Sequence, residues 1–140
     1  MIGLHKIDLS NFMLTNIITV NRINNTTVKT QKRVNRKMCA LAFKAAGRTV
    51  YQNETGSYVS NPNHVVLLLK GTSYVVNFET FGYCIMIEFE CNPDFNEQCI
   101  TSFYIKNSSI LHNLFLSIEK EWTFKKVAYK KIAFQLYTKY

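Results

Sequence analysis

The chain has 140 residues, of which 47% are apolar and 14% aromatic, and its formal net charge is +8. This length is typical of one domain, and this apolar content is enough for a packed core, which excludes an intrinsically disordered protein. No apolar run reaches the roughly 18 residues of a membrane helix, and residues 1–11 lack the apolar stretch of a signal peptide. We therefore expect a single cytoplasmic domain with no membrane partner.

Most of the chain has the two-residue hydrophobic period of β-strands. Residues 13–22 are rich in β-branched side chains and predict a first strand, whereas 24–37 are polar and basic and predict a loop or a ragged edge. Short strands separated by tight turns are predicted at 38–46, 48–52, 57–60, 65–69, 74–78, 83–91 and 100–105. The run 65–69 is apolar throughout, which predicts a strand covered on both faces.

After residue 105 the period changes to that of a helix. A first helix is predicted to present one apolar stripe, consisting of Ile110, Leu111, Leu114, Phe115, Ile118 and Trp122. A second helix over about 124–140 presents another stripe, of which Tyr129, Ile132, Leu136 and Tyr140 are available for pairing with a second copy of the chain. The sequence thus predicts a mainly β barrel over about 13–105 and a helix pair over about 109–140.

Part of this pattern resembles the N-terminal sensor domain of AraC-type transcription regulators. The resemblance covers residues 38–140 and rests on the bend at Gly47, the Lys70-Gly71 turn, Tyr74, the strand that ends at Phe89 and the paired helices. Leu69 stands where that family has proline before the turn, and Asn63-His64 stands where it has Gly-Asp. Since Asn tolerates a left-handed backbone nearly as well as glycine does, Asn63 can keep its turn.

The resemblance implies a cupin-like jelly-roll barrel that binds a small effector, often a sugar, followed by two helices that form a homodimer. In that family a C-terminal pair of helix-turn-helix units binds DNA. Because nothing terminates the second predicted helix before residue 140, we expect such a domain beyond this fragment. The predicted function is therefore ligand sensing and dimerisation in a transcription regulator, without catalysis, without a cofactor, and with DNA contacts made only by the absent domain.

The predicted effector site follows from two strand faces that the resemblance places inward. The strand 38–46 contributes Ala40, Ala42, Lys44 and Ala46, and the strand 83–91 contributes Cys84, Met86 and Glu88. Alanines leave room for a ligand, and pockets combine apolar walls with a few polar groups. We predict a cavity bordered by Ala42, Lys44, Tyr74, Met86 and Glu88, with Arg48 near its mouth.

The pattern slightly favours the alternative that this face points outward. Lys44 and Glu88 would then form a surface ion pair worth about 0 to 1 kcal/mol. If the face points inward, the same two side chains are the expected buried pair.

Two other functions stay open from the sequence. A freestanding cupin-like enzyme acting on carbohydrate would need a convergent set of metal ligands, but the three histidines are far apart and no His-x-His occurs, so we predict no metal site and no catalytic residues. Direct binding of a polyanion would use two basic clusters, one at 29–37 and one at 120–139, which are more often solvated surfaces.

Overall fold

The computed structural model describes residues 13–25, 29–92 and 98–139, with side chains over 16–24, 29–90 and 98–125. Within these ranges the chain forms nine strands and one helix. The elements are β1 (Met13–Asn25), β2 (Lys29–Arg33), β3 (Cys39–Lys44), β4 (Thr49–Asn53), β5 (Gly56–Ser60), β6 (His64–Leu68), β7 (Tyr74–Phe78), β8 (Gly82–Asn92), β9 (Ile100–Tyr104) and α1 (Ser108–Lys139).

The strands form two antiparallel sheets that pack face to face as a sandwich. The first sheet has the order β1-β8-β3-β6-β9, and the second has the order β2-β7-β4-β5. Apolar side chains from both sheets form one shared cluster, which includes Ala42 and Leu68 from the first sheet and Tyr51 and Val76 from the second. The prediction of a mainly β fold is therefore confirmed, as a sandwich of two sheets.

The central strands of the first sheet are largely buried on both faces. Alternate residues of its central strands point to opposite sides, so Phe43 and Leu67 belong to a cluster with the helix while Ala42 and Val66 belong to the cluster between the sheets. We call these two surfaces the helix face and the interior face. Residues 65–68 of β6 are all buried, which confirms the prediction of a strand covered on both sides.

The prediction of two C-terminal helices is wrong, because α1 is a single helix of 32 residues. The sequence over 108–139 contains neither Gly nor Pro, so nothing interrupts the backbone ladder. The Thr123 hydroxyl donates to the Glu119 carbonyl at 3.0 Å, so the side chain of Thr123 is hydrogen-bonded within the helix. The apolar stripe that seemed to restart at residue 124 belongs to the same helix.

The first predicted stripe on the helix is only partly correct. Leu111, Phe115, Ile118 and Trp122 pack against the helix face of the first sheet, at the spacing expected of one side of a helix. Ile110 and Leu114 are instead 58% and 56% exposed. The apolar stripe of α1 that contacts the first sheet is therefore narrower than the stripe predicted from the sequence.

The polar segment 24–37 is also not wholly a loop. It contains β2, an edge strand that pairs with β7, and the Thr30 hydroxyl donates to the Asn77 side-chain carbonyl across that pair at 2.8 Å. An edge strand keeps one side in water, and charged side chains there protect it from pairing with other chains. The polar composition that suggested a loop is thus the composition of an exposed edge.

Two glycines allow close backbone contacts at the end of the sandwich where β3 ends. Gly47 has a φ of 77°, and a Cβ there would collide with the Phe81 carbonyl oxygen. A Cβ on Gly82 would collide with the Ala46 carbonyl oxygen. These close approaches hold the end of β3 against the start of β8, so that Lys44 can reach the Gly82 carbonyl.

We expect Phe115→Ala to lower the free energy of unfolding by about 3 to 4 kcal/mol, because it empties a packed site. The Phe115 ring is 5% exposed and stacks on Phe43 with the ring centroids 5.0 Å apart. Leu114→Ala, one residue away and exposed, is the matched control and should cost less than about 1 kcal/mol. Chemical denaturation measures both, and equal losses would contradict the docking of α1 through Phe115.

Candidate functional site

The face that carries the predicted effector site lies between the two sheets. Ala40, Ala42 and Lys44 are each 0% exposed, so the interpretation that this face points outward is wrong. The facing strands of the second sheet contribute aromatic and β-branched side chains to the same cluster, namely Tyr51, Tyr74, Val76 and Phe78. The interior face is therefore an apolar layer that also contains charged side chains.

The structure brings together most of the predicted site residues. Ala42 and Tyr74 are buried in the interior cluster, and Met86 packs against it. Glu88 is the register partner of Ala40 and so shares its face. Arg48 is not brought to the interior, since its side chain is 53% exposed and its guanidinium pairs with Glu79 at 2.9 Å on the surface. Whether these side chains bind a ligand stays a prediction.

One end of the interior face holds a closed network around Glu88. Arg36 donates to the Glu88 carboxylate at 2.8 Å and to the Tyr74 hydroxyl at 2.9 Å. The Thr19 hydroxyl donates to the other carboxylate oxygen at 2.9 Å. The Arg36 side chain is 9% exposed and that of Glu88 is 29% exposed. At this end the charges of Arg36 and Glu88 neutralise each other, and the hydrogen bonds join protein side chains to one another.

Sequence reasoning missed Arg36, which it placed in a solvated basic cluster. Arg36 lies just before β3, and its Nε donates to the Met38 carbonyl at 3.2 Å, which turns the side chain back toward the interior. Its own carbonyl accepts from the Gly71 amide at 2.7 Å. No local pattern indicates such a contact, because Arg36 and Glu88 are 52 positions apart in the sequence.

The other end of the interior face holds Lys44. Its ammonium donates to the Gly82 carbonyl at 3.0 Å and lies 5.8 Å from the centroid of the Phe78 ring. Lys44 is the register partner of Cys84, so Glu88 lies four residues farther along β8, a separation of about 13 Å. The expected pair of Lys44 with Glu88 is therefore wrong, and Glu88 pairs with Arg36 instead.

Burial shifts the pKa of three groups on the interior face. It lowers the pKa of the Lys44 ammonium, because removal from water penalises the charged form. It raises the pKa of the Cys84 thiol from 9.0 to about 11, and the neighbouring Lys44 ammonium opposes part of that rise. Burial likewise raises the pKa of Tyr51 well above its ordinary value. Cys84 and Tyr51 are therefore neutral hydrogen-bonding groups near neutral pH.

A separate polar contact joins α1 to the barrel on the opposite side of the first sheet. Arg22 of β1 makes two hydrogen bonds to Glu119, at 2.6 and 2.8 Å, and its guanidinium carbon lies 4.1 Å from the centroid of the Tyr83 ring. The Tyr83 hydroxyl is hydrogen-bonded to His112. A groove of about 1070 Å³ runs beside this contact, between β1 and α1, and contains none of the predicted site residues.

The predicted dimer residues are described only in part. Tyr129, Ile132 and Leu136 lie in α1, but their side chains, and Tyr140 altogether, are outside the described residues. Over the part of the chain that the structure describes, no three His, Cys, Asp or Glu side chains are placed to hold a metal ion. No helix in that part has the length and apolar character needed to cross a membrane.

No family model and no curated protein matches the chain. Among solved structures it is similar to a ligand-free variant of ToxT from Vibrio cholerae, with a TM-score of 0.55 and 12% sequence identity over 77% of this chain and 48% of that one. It is also similar to wild-type ToxT of the same organism with unsaturated fatty acid bound, with a TM-score of 0.49 and 14% identity over 83% of this chain and 56% of that one.

ToxT is an AraC-family regulator, and the similarity covers its N-terminal region. The chain spans about half the length of these structures. At this sequence identity the likeness shows the fold alone, a cupin-like sandwich of two antiparallel sheets. The resemblance found in the sequence is thus supported at the level of the fold.

We expect Glu88→Gln to lower the free energy of unfolding by about 1 to 3 kcal/mol, because it leaves the buried Arg36 guanidinium without a charged partner. Glu79→Gln makes the same change in the exposed pair with Arg48 and should cost no more than about 1 kcal/mol. Denaturation of the two variants in parallel checks this. A Glu88→Gln loss no larger than that of the control would contradict the closed network.

The raised pKa of Cys84 predicts a loss of stability in alkali. Between pH 9.0 and about 11 the unfolded chain releases the thiol proton while the folded chain keeps it, so stability falls as the pH rises. From about pH 8 to about pH 10.5 this thiol should cost the wild type about 2 kcal/mol, and Cys84→Ala should lack that part of the decline. Cys99→Ala is the control. Parallel declines in the wild type and Cys84→Ala would contradict the prediction.

Proposed function

We propose that this chain is the ligand-sensing and dimerisation domain of a cytoplasmic transcription regulator of the AraC type. Its effector binds between the two sheets, and DNA is bound by a separate domain of the complete protein. The fold supports this proposal, because the similarity to the N-terminal region of ToxT covers most of the chain. The function itself rests on the charged groups of the interior face.

The observation that carries the proposal is the charge on the interior face, where Lys44 is fully buried and the Arg36–Glu88 pair is partly buried. Removing a charge from water costs several kcal/mol, and apolar side chains of similar size often stabilise a core equally well or better. Buried charges in an otherwise apolar layer with small side chains are what a binding pocket requires, since they orient a ligand that the apolar wall holds. Packing of the core does not by itself require charged side chains at these positions.

The length of α1 supports a role in dimerisation. A helix of 32 residues is about 48 Å long. The described contacts with the barrel involve its first half, from Leu111 to Trp122. We assign the second half, with Tyr129, Ile132 and Leu136, together with the following residue Tyr140, to an isologous contact with a second copy of the chain.

Sensing then operates as a shift between two arrangements of the dimer. The effector changes their populations only if it binds them with unequal affinity. The carbohydrate-enzyme alternative is not favoured by any observation on the described residues. The hypothesis that the basic cluster at 29–37 binds a polyanion is less favoured, because Arg36 of that cluster is paired with Glu88.

A reporter assay tests the dimer. The chain is fused to a DNA-binding domain that represses its operator only as a dimer, and repression is measured in cells with matched protein levels. We expect the wild-type fusion to repress, and Leu136→Asp to reduce repression at least about tenfold, because a charge in an apolar interface disfavours association. Lys130→Glu is the control and should still repress, because at helical spacing Lys130 lies off the stripe of Tyr129, Ile132 and Leu136. Equal repression by Leu136→Asp and the wild type would refute the assignment to α1.

A further inference from the structure

We propose that the groove between β1 and α1 is a docking site for an extended acidic segment of a partner protein, which adds to the outer edge of β1 as a further strand. The groove has a volume of about 1070 Å³ and contains none of the residues of the interior face. The proposal therefore goes beyond effector sensing and does not depend on it.

The groove follows the edge of β1. Its lining from this strand consists of three consecutive residues, Val20, Asn21 and Arg22. Successive side chains of a strand point to opposite faces of the sheet, so a groove that touches all three runs along the edge of the strand and not over one face. In the described part of the chain β1 is the last strand of the first sheet and pairs with β8 alone. Its outward N–H and C=O groups can therefore pair with an added strand.

This part of β1 lacks the usual protections of an edge strand. Bulges and charged side chains keep other strands away from an edge. The register shifts of β1 all lie before Thr19, and the pairing with β8 is regular from there to Asn25. The regular stretch has one charged side chain, that of Arg22, which is paired with Glu119 at 2.6 Å.

The other described edges of the sandwich differ from β1. At the far edge of the first sheet, the Ser102 hydroxyl of β9 donates to the Val59 carbonyl of β5 at 2.8 Å. The edge strand β2 has five residues, of which three are basic, and short charged strands resist pairing with other chains. Among the described edges, β1 is therefore the one best suited to strand addition.

The charge of the groove favours an acidic partner. Its lining includes three basic residues, Arg22, Lys120 and Lys125, and two acidic ones, Glu119 and Glu121. Arg22 and Glu119 pair with each other, and neither lysine takes part in an ion pair among the described residues. The chain as a whole has a formal net charge of +8. Both the local and the overall charge thus attract an acidic segment.

The groove also has an exposed aromatic ring. Phe124 is part of its lining and is 73% exposed, the highest fraction among the large apolar side chains described. Aromatic side chains are enriched at the centre of protein interfaces. An apolar side chain of the docked segment would cover this ring while its carboxylates contact the two lysines.

A second copy of β1 is a poorer occupant of the groove. Residues 16–25 contain no Asp or Glu, and Arg22 is their one charged residue. Antiparallel pairing of two β1 strands would thus bring a cation and no anion to the groove lysines, which disfavours it.

Fluorescence anisotropy with labelled peptides of about eight residues tests the site on the purified chain. We expect a peptide of alternating glutamate and valine to bind at least about tenfold more tightly than one of alternating lysine and valine. Two further peptides carry N-methyl groups on all valines or on all glutamates. Successive N–H groups of a strand point to opposite edges, so one of these two should lose at least about tenfold in affinity and the other less.

Two variants with matched controls locate the binding. Lys120→Glu should weaken the glutamate–valine peptide at least about fivefold, whereas Lys106→Glu makes the same charge change at an exposed position outside the groove and should bind like the wild type. Phe124→Ala should weaken it about three- to tenfold, and Phe81→Ala, also exposed and outside the groove, is its control. Circular dichroism confirms that each variant is folded.

Three results would overturn the proposal. Absence of binding to the wild type, or equal binding by Lys120→Glu and Lys106→Glu, refutes the docking site. Equal binding by the unmodified and both N-methylated peptides refutes strand addition. Loss of self-association in Lys120→Glu but not in Lys106→Glu, measured by sedimentation, assigns the groove to a second copy and refutes the acidic partner. None of these results bears on effector binding between the sheets.

Discussion

The burial of the central strands of the first sheet on both faces is the constraint on which the rest of this structure depends. In β3, Phe43 packs under α1 while its neighbour Lys44 points into the space between the sheets, and both are fully or nearly fully buried. Little of either face of β3 is left to water. Every polar side chain on them must therefore find a partner within the protein or in a ligand, which is why the charged groups of the interior are informative.

This two-sided burial also explains how much of the fold the sequence could predict. Alternation in 38–46 and 83–91 separated the two faces correctly, because the period of a strand is a local property. The edge strand β2 was missed because an exposed edge and a loop share a polar composition. The single helix was missed because a helical stripe that drifts around its axis resembles two stripes when each is judged alone.

The candidate site was predictable to a smaller extent. The residues that share the interior face follow from alternation, and Ala42, Lys44, Met86 and Glu88 were placed together on that basis. Their partners do not follow, because an ion pair depends on which loop returns to which strand. Arg36 reaches Glu88 from a segment with no detectable periodicity. The register places Lys44 opposite Cys84, four residues from the carboxylate that charge matching would assign to it.

The same geometry links the interior to the helix over very short distances. Lys44 donates to the carbonyl of Gly82, and the next residue, Tyr83, is hydrogen-bonded to His112 of α1. On the other strand, Phe43 precedes Lys44 and stacks on Phe115. An effector that changes the contact between Lys44 and Gly82 would thus act on the start of β8, one residue from a contact that holds the helix. Because cores repack between discrete arrangements, an effector that changes this contact has a direct structural route to the element assigned to dimerisation.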